Sequence, residues 1–415
     1  MTPSVSLIEK WILQKIHTAI GCPPIRLAVR GGPEVRPIGT EPVASVLISD
    51  CSALTRLLLN PEIGFGDGYA EGRIEVEGDI VILLETVLRT MKAYDTNGWK
   101  SALLSRWLER NQANTLDGSV KNIHQHYDLT TDFYKLWLDP QLLYSCAYFP
   151  APSTPLDEAQ LAKMDYICRK VQLQPGDKVV EVGSGWGALA LHMAKHYGAT
   201  VRAFNISNEQ VSFARERARK ENLSHQVEFI EDDYRNISGH YDTFVSVGML
   251  EHVGAKYYKA FGHMVHHCIG DSGRGLIQFI GRNQSCPFSP WIRTRIFPGA
   301  YIPELRQIMD VFEPWDFSVL DVENLRDHYA KTLEHWLSRF ENSVDSVYKI
   351  FGSEFVRTWR LYLAGSIAAF RVGRLQLFQI VFAGSECQRI PWTRANLYAE
   401  SQPGVKEQRV IHTRS

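Results

Sequence analysis

Residues 179–187 read Val179-Val180-Glu181-Val182-Gly183-Ser184-Gly185-Trp186-Gly187. The β-branched content and shortness of the apolar run predict a buried parallel strand. Three glycines at alternate positions then allow a tight turn whose backbone comes close to a ligand, because no Cβ stands in the way. Leu189, Leu191, Met193 and Ala194 follow in an apolar stretch that runs to Gly198, which predicts a helix. Strand, glycine turn and helix in this order form a nucleotide-type unit. A glycine-rich turn that binds nothing carries the same signature, so neighbouring segments must decide.

The spacing departs from the dinucleotide fingerprint, and the Lys-Ser/Thr pair of a phosphate-cradling loop is missing. Glu-x-Gly-x-Gly-x-Gly is instead the pattern of an S-adenosylmethionine (SAM) loop. Around it, strands are expected at 178–183, 200–204, 227–230, 242–247 and 275–280, and helices at 187–197, 207–222 and 255–268. That alternation predicts an α/β fold, Rossmann-like, with a parallel sheet covered on both faces. An insertion rich in Pro, Trp and Arg follows residue 280. Helices are expected at 302–312, 325–352 and 353–371, and a closing strand at 375–382.

Residues 1–95 read as a separate small α+β domain. Leu7, Ile8, Trp11, Ile12, Ile16 and Ile20 recur at helical spacing. That pattern suits a core-packing helix and also a membrane-lying one. Strands are expected at 44–48 and 73–77, with the glycine-rich stretch 64–68 as a turn between them, and a closing helix at 80–94. Residues 96–121 are polar and charged and read as a linker. The catalytic unit is expected over 122–390, with 391–415 as a C-terminal tail.

The chain has 415 residues, 45% of them hydrophobic, which suits two or three domains. A net charge of -1 provides no field that favours nucleic acid. Seven cysteines, an odd number with no Cys-x-x-Cys pair, read as reduced thiols in a cytoplasmic compartment. No apolar stretch approaches the roughly 20 residues that span a bilayer, and no secretory leader is visible. The expectation is a soluble or membrane-surface protein. His124 and His126, at i, i+2, do not share a helix face and are not expected to hold a metal.

In open α/β sheets the ligand lies beyond the carboxyl ends of the strands. Two further ends stand out besides the 183–187 turn. Asn205-Ile206-Ser207-x-x-Gln210 follows the second strand, with Ser207 suited to cap a helix and Gln210 at the capping-box position. The usual acidic ribose ligand is absent there, so Asn205 or Gln210 would have to serve. Asp232-Asp233-Tyr234-Arg235 follows the third strand; it suits an adenine ring, and equally a solvated turn.

Residues 122–134 read Asn-Ile-His-Gln-His-Tyr-Asp-Leu-Thr-Thr-Asp-Phe-Tyr. Residues 138–149 read Leu-Asp-Pro-Gln-Leu-Leu-Tyr-Ser-Cys-Ala-Tyr-Phe, and 246–254 read Ser-Val-Gly-Met-Leu-Glu-His-Val-Gly. With 181–187 they closely resemble the cyclopropane-fatty-acid synthase family of SAM-dependent methyltransferases. The resemblance runs from about residue 120 to 383. It includes Ile296-Phe297-Pro298-Gly299, the stretch 327–340 and Gln379-Ile380-Val381-Phe382. The combination is specific, although no single piece is. It implies a Rossmann-like SAM domain with a helical insertion, preceded by a small lipid-facing domain. The implied substrate is an unsaturated acyl chain of a membrane phospholipid. A homodimer at the inner face of the membrane is implied as well.

Residue by residue, the resemblance assigns SAM contacts to Tyr144, Ser145, Gly183, Ser184, Gly185, Gly187, Asn205, Ile206, Ser207, Gln210, Asp233 and Tyr234. It assigns a bound bicarbonate base to Cys146, Glu251, Gln278, Ile280 and Tyr329. One position departs: the family typically has His where this chain has Gln278, and an amide cannot carry a proton as imidazole can. Ser366 stands where some relatives carry a cysteine, which argues against a nucleophilic cysteine there.

The chemistry explains these residue types. An alkene is a poor nucleophile and the SAM sulfonium a strong electrophile, so the protein must chiefly hold them in line. Methyl transfer leaves a carbocation on the chain, which aromatic faces stabilise; Tyr127, Tyr134, Phe149, Trp291 and Tyr329 are the candidates. Loss of a proton from the new methyl group closes a cyclopropane ring. Loss from a chain carbon instead leaves a branched, unsaturated chain. The leading expectation is a cyclopropane, with a branched product or a non-catalytic lipid-binding protein as alternatives. Simpler readings stay open: Cys146 as a small buried hydrophobe, Glu251-His252 as a helix N-terminal pair, and Tyr329 as packing. The amphipathic stretch 6–20 and the aromatic-basic run 291–295 are the candidate membrane contacts.

Overall fold

The computed structural model describes residues 3–94, 129–284 and 288–398. The linker expected at 96–121, the stretch 122–128 with His124, His126 and Tyr127, and most of the C-terminal tail lie outside them.

Two sheets organise the described chain. The first has strand order β2-β1-β3-β4, from β1 (Arg26–Val29), β2 (Glu34–Val35), β3 (Ser45–Ile48) and β4 (Ile74–Glu77). β1 pairs parallel with β3 and antiparallel with β2, and β3 pairs antiparallel with β4. Its core is aliphatic, with Leu13, Ile48, Leu54, Ile74 and Leu83 buried. Three of the helices around it are α1 (Pro3–Ala19), α2 (Cys51–Leu59) and α3 (Pro61–Ala70), and a fourth is α4 (Ile80–Tyr94). α1 divides as its periodicity requires. Leu13 and Ile16 are buried, whereas Leu7, Ile8 and Trp11 stay 71%, 60% and 54% exposed.

The glycine-rich stretch 64–68 is not a turn but the middle of α3. Asn60 caps the helix, Pro61 stands at its first position and Glu62 lies in its first turn. The glycines serve close packing. A Cβ on Gly64 would meet the Arg56 carbonyl oxygen at 2.6 Å, and one on Gly66 would fall inside the Trp291 indole.

The second sheet has seven strands in the order β10-β11-β9-β8-β5-β6-β7. β5 (Lys178–Val182), β6 (Thr200–Asn205), β7 (Val227–Glu231), β8 (Thr243–Val247) and β9 (Arg274–Gly281) form the parallel part. β11 (Gln376–Ala383) runs antiparallel beside β9, and β10 (Ser318–Asn324) antiparallel beside β11. The Rossmann-like expectation holds, with β10 as an edge strand that was not anticipated. The main helices here are α5 (Leu156–Lys170), α6 (Ala188–Tyr197), α7 (Asn208–Lys220), α8 (Tyr258–Ile269), α9 (Arg326–Asn342) and α10 (Val344–Arg371). The break expected at 352–353 is present, because Gly352 has non-helical backbone (φ 82°, ψ 179°) and divides α10; a further break at Ser343 separates α9 from α10. The helix expected at 302–312 is a 3-10 turn at Leu305–Ile308 followed by a single α turn at Met309–Phe312.

The insertion joins the two parts. Trp291 Nε1 donates to Asp67 Oδ1 at 3.1 Å, and Arg295 Nη2 pairs with Asp67 Oδ2 at 2.8 Å. Trp291 is 4% exposed. The run 291–295 therefore does not offer its aromatic ring to a membrane: the indole is consumed by packing on Gly66, and Arg295 by Asp67. No helix among the described residues is long and apolar enough to cross a membrane.

Candidate active site

A cavity opens at the carboxyl ends of β5, β6, β7 and β8. Tyr144, Ser145, Gly183, Ser184, Gly185, Asn205, Ile206, Gln210, Asp233 and Tyr234 all line it. Gly185 sits at φ 52° and a Cβ there would meet nothing within 4 Å, so the turn leaves its backbone open to a ligand. Gly187 and Ser207 are not among the lining residues. Gly187 (φ 84°) begins α6 under Phe229, whose Cζ lies 2.6 Å from a would-be Cβ. Ser207 caps α7 by accepting the Gln210 N–H at 3.4 Å. Both glycine and serine shape the cavity from behind.

Asn205 Nδ2 donates to Gln210 Oε1 at 2.8 Å, so these two side chains hold each other. Asp233 is engaged by Arg235 through both carboxylate oxygens, at 2.7 and 2.9 Å. Burial raises the Tyr234 phenol to about 12 and keeps it neutral. Lys163 lines the cavity as well, a buried charge that the sequence reading did not single out. Lys163 Nζ donates to Ser145 Oγ at 2.9 Å. Burial pulls the Lys163 ammonium down and pushes the neighbouring Glu181 carboxyl up, each opposing the other's shift.

The residues fit a zwitterionic, sulfonium-bearing ligand. Glu181 Oε2 and Ser184 Oγ are buried with no partner among the described residues, and Lys163 offers a buried cation. Such orphaned groups are costly unless a ligand completes them.

Glu251 stands beside this cavity, on the 3-10 turn Leu250–His252 after β8. Its Oε1 accepts the Ile280 N–H at 2.6 Å, and its Oε2 is buried with no partner among the described residues. Burial raises its carboxyl to about 7, against the lowering effect of that Ile280 hydrogen bond. The remaining expected residues form a connected wall. Ile280 pairs in register with Leu377 on β11, and Leu325 N–H donates to the Leu377 carbonyl at 2.8 Å. The Leu325 carbonyl receives the Tyr329 N–H at 3.1 Å and lies 3.9 Å from Cys146 Sγ. Gln278 sits two residues before Ile280, in register with Val247, which lines the cavity.

Cys146 is 1% exposed, and burial pushes its thiol far up, so it stays a neutral, buried thiol. Tyr329 packs its ring 4.7 Å from Phe370 and 6.0 Å from Trp336. Tyr134 is fully buried beneath Trp186 and Tyr144, at 4.9 and 5.4 Å.

Residues 114–380 match the family described as mycolic acid cyclopropane synthetase. A probable fatty acid methyltransferase of Pseudomonas putida is 32% identical over 397 residues, covering 93% of this chain and 98% of that one. The cyclopropane-fatty-acyl-phospholipid synthase of Escherichia coli K12 is 38% identical over 260 residues, 62% of this chain and 66% of that one. Among solved structures, mycolic acid cyclopropane synthase CmaA1 complexed with SAH and CTAB aligns with a TM-score of 0.61 at 29% identity, covering 63% of this chain and 97% of that one. A cavity at the strand ends with an orphaned acid beside it, in a sequence matched over this span, has one reading: the chain belongs to the mycolic acid cyclopropane synthetase family and is a SAM-dependent methyltransferase.

Proposed function

We propose that this protein transfers the methyl group of SAM to the double bond of an unsaturated phospholipid acyl chain and closes a cyclopropane ring. One observation carries the reading: Glu251 is aimed by the Ile280 N–H and keeps a bare, buried Oε2 beside the cofactor cavity. SAM supplies an electrophilic methyl group. Tyr144, Ser145, the 183–185 turn, Asn205, Gln210 and Tyr234 would hold it, with Gly187 and Ser207 supporting from behind. The chain's remaining work is alignment and exclusion of water.

Positive charge then develops on the acyl chain, and Tyr329 offers an aromatic face to it. Glu251 takes up the released proton, directly or through a bicarbonate hydrogen-bonded to it. Gln278, Tyr329 and the backbone at Cys146 would complete a bicarbonate site. The Ile280 N–H is already engaged by Glu251, so it acts by aiming the carboxylate. The acyl chain would be reached from a lipid surface, and the exposed Leu7, Ile8 and Trp11 of α1 suit that contact.

A second product is favoured by one residue. Gln278 offers an amide where the family has an imidazole, and an altered base site would leave a branched, still unsaturated chain. Incubation with labelled SAM and vesicles of monounsaturated phospholipid decides the matter. Gain of one CH2 with loss of the alkene supports ring closure. A retained double bond assigns the branched product, and no label in any unsaturated lipid overturns the proposal.

A further inference from the structure

Behind Gln278 runs a line of buried hydrogen bonds that the reaction scheme does not use. Gln379 lies directly opposite Gln278 in the β9–β11 register, and its Nε2 donates to Gln278 Oε1 at 2.7 Å. Lys170 Nζ donates to Gln379 Oε1 at 2.7 Å. Lys170 in turn pairs with Glu323 on β10, which also accepts from the Tyr166 hydroxyl at 3.2 Å. Gln278, Gln379 and Lys170 are 1%, 0% and 3% exposed.

The direction of this line follows from its first member. An ammonium has three donors and no acceptor. The Gln379 atom facing Lys170 must therefore be the amide oxygen. Its nitrogen then faces Gln278, and the Gln278 atom that receives it must be an oxygen. Gln278 is left with its Nε2 as the free end, and no group among the described residues accepts from it. Reversing either amide would set donor against donor, or acceptor against acceptor, in a buried site, which costs far more than a surface mismatch.

We propose that Lys170 and Gln379 form a one-way relay that locks Gln278 as a hydrogen-bond donor, so that Gln278 positions the proton-accepting anion and never receives the proton itself. The inference rests on the methyl-transfer reading above. It makes Gln379 and Lys170 positioning residues for the final deprotonation. It also accounts for how an amide serves at this place: its job is the orientation of one N–H, and the relay supplies that orientation from Lys170, two hydrogen bonds away.

Reversing the relay tests it. In Gln379→Glu the new carboxylate accepts from both Lys170 and Gln278, so the Gln278 amide turns and presents its oxygen to the anion. The expected result is a drop in kcat on the order of 100-fold, as for loss of one preorganised donor, with SAM affinity by calorimetry unchanged. Combining Gln379→Glu with Gln278→His should restore most of the loss, because an imidazole can carry a proton on both nitrogens. Equal losses in the two backgrounds, or no loss from Gln379→Glu alone, would overturn the relay. If Gln379→Glu does not fold, Gln379→Met removes the lock and should lower kcat with the same rescue. A wild-type protein that methylates no lipid defeats the substrate reading instead. The relay is then judged by the side-chain amide protons of Gln278 in a glutamine-labelled sample: they must shift downfield in Gln379→Glu, and unmoved resonances sink it.

Discussion

The phenolic oxygens of Tyr144 and Tyr362 lie 2.7 Å apart. Tyr144 lines the cofactor cavity, and Tyr362 belongs to α10, far along the chain. The bond ties the wall of the cavity to the longest helix among the described residues. Tyr362→Phe removes it with little change in packing. A hydrogen bond of this kind contributes about 0.5–1.5 kcal/mol. The expected outcome is SAM affinity weakened by up to about tenfold, read by calorimetry, with kcat at saturating SAM nearly unchanged.

Glu251→Gln keeps an oxygen for the Ile280 N–H and removes only the basic atom. We expect kcat to fall by roughly 10²–10⁴, the range for loss of a general base, while SAM binding persists. Near-normal turnover would remove Glu251 from the mechanism.

The pH profile follows from the same carboxyl. Its raised value of about 7 means that the base form is populated only as pH rises through that point. Activity should therefore climb with pH along an acid limb near 7. Stability has the opposite sign. A carboxyl whose value rises from 4.5 on folding favours the folded state fully below 4.5, and that contribution is lost as pH rises through about 7. Glu251→Gln should flatten this fall in thermal stability between pH 4.5 and 7; an unaltered slope would show that another group is responsible.

Gly66→Ala places a methyl group in the Trp291 indole. Overpacking of this kind costs about 1–3 kcal/mol. Tm should fall, and the fluorescence of Trp291, hydrogen-bonded to Asp67, should change with it. An unaffected Tm would mean that the contact between α3 and the insertion is slack.

Gln278→His bears on the product. If the amide impairs ring closure, the imidazole should raise cyclopropane relative to branched lipid, measured by mass spectrometry. A constant ratio would place the choice of proton elsewhere.

Apart from β10, the strands of the large sheet were legible because each is a short apolar run that ends at or just before glycine, Asn or Asp, where backbone chemistry speaks locally. The 64–68 stretch was not. Glycine-rich sequence reads as a turn by propensity, and only contact with Arg56, Ile74 and Trp291 shows why a helix needs it there. β10 was missed because it is half-exposed and mixes Asp321 and Glu323 into its run. The polar residues behind the site were hidden by distance along the chain. Lys170 meets Glu323 across 153 positions and Gln379 across 209. One local sign did exist: Gln160, Lys163 and Lys170 fall on the buried stripe of α5 beside Ile167, where only groups with partners belong.

Arg357 lies on α10 a turn and a half before Tyr362. Its guanidinium donates to the Tyr69 and Ile74 carbonyls of the small sheet's own elements and covers the Tyr69 ring at 4.2 Å. Five residues of helix span about 7.5 Å along its axis. One stiff strut thus grips the front module at one point and the rim of the methyl-donor pocket at the next. A tilt of the small-sheet part therefore has a direct path to Tyr144 through this helix.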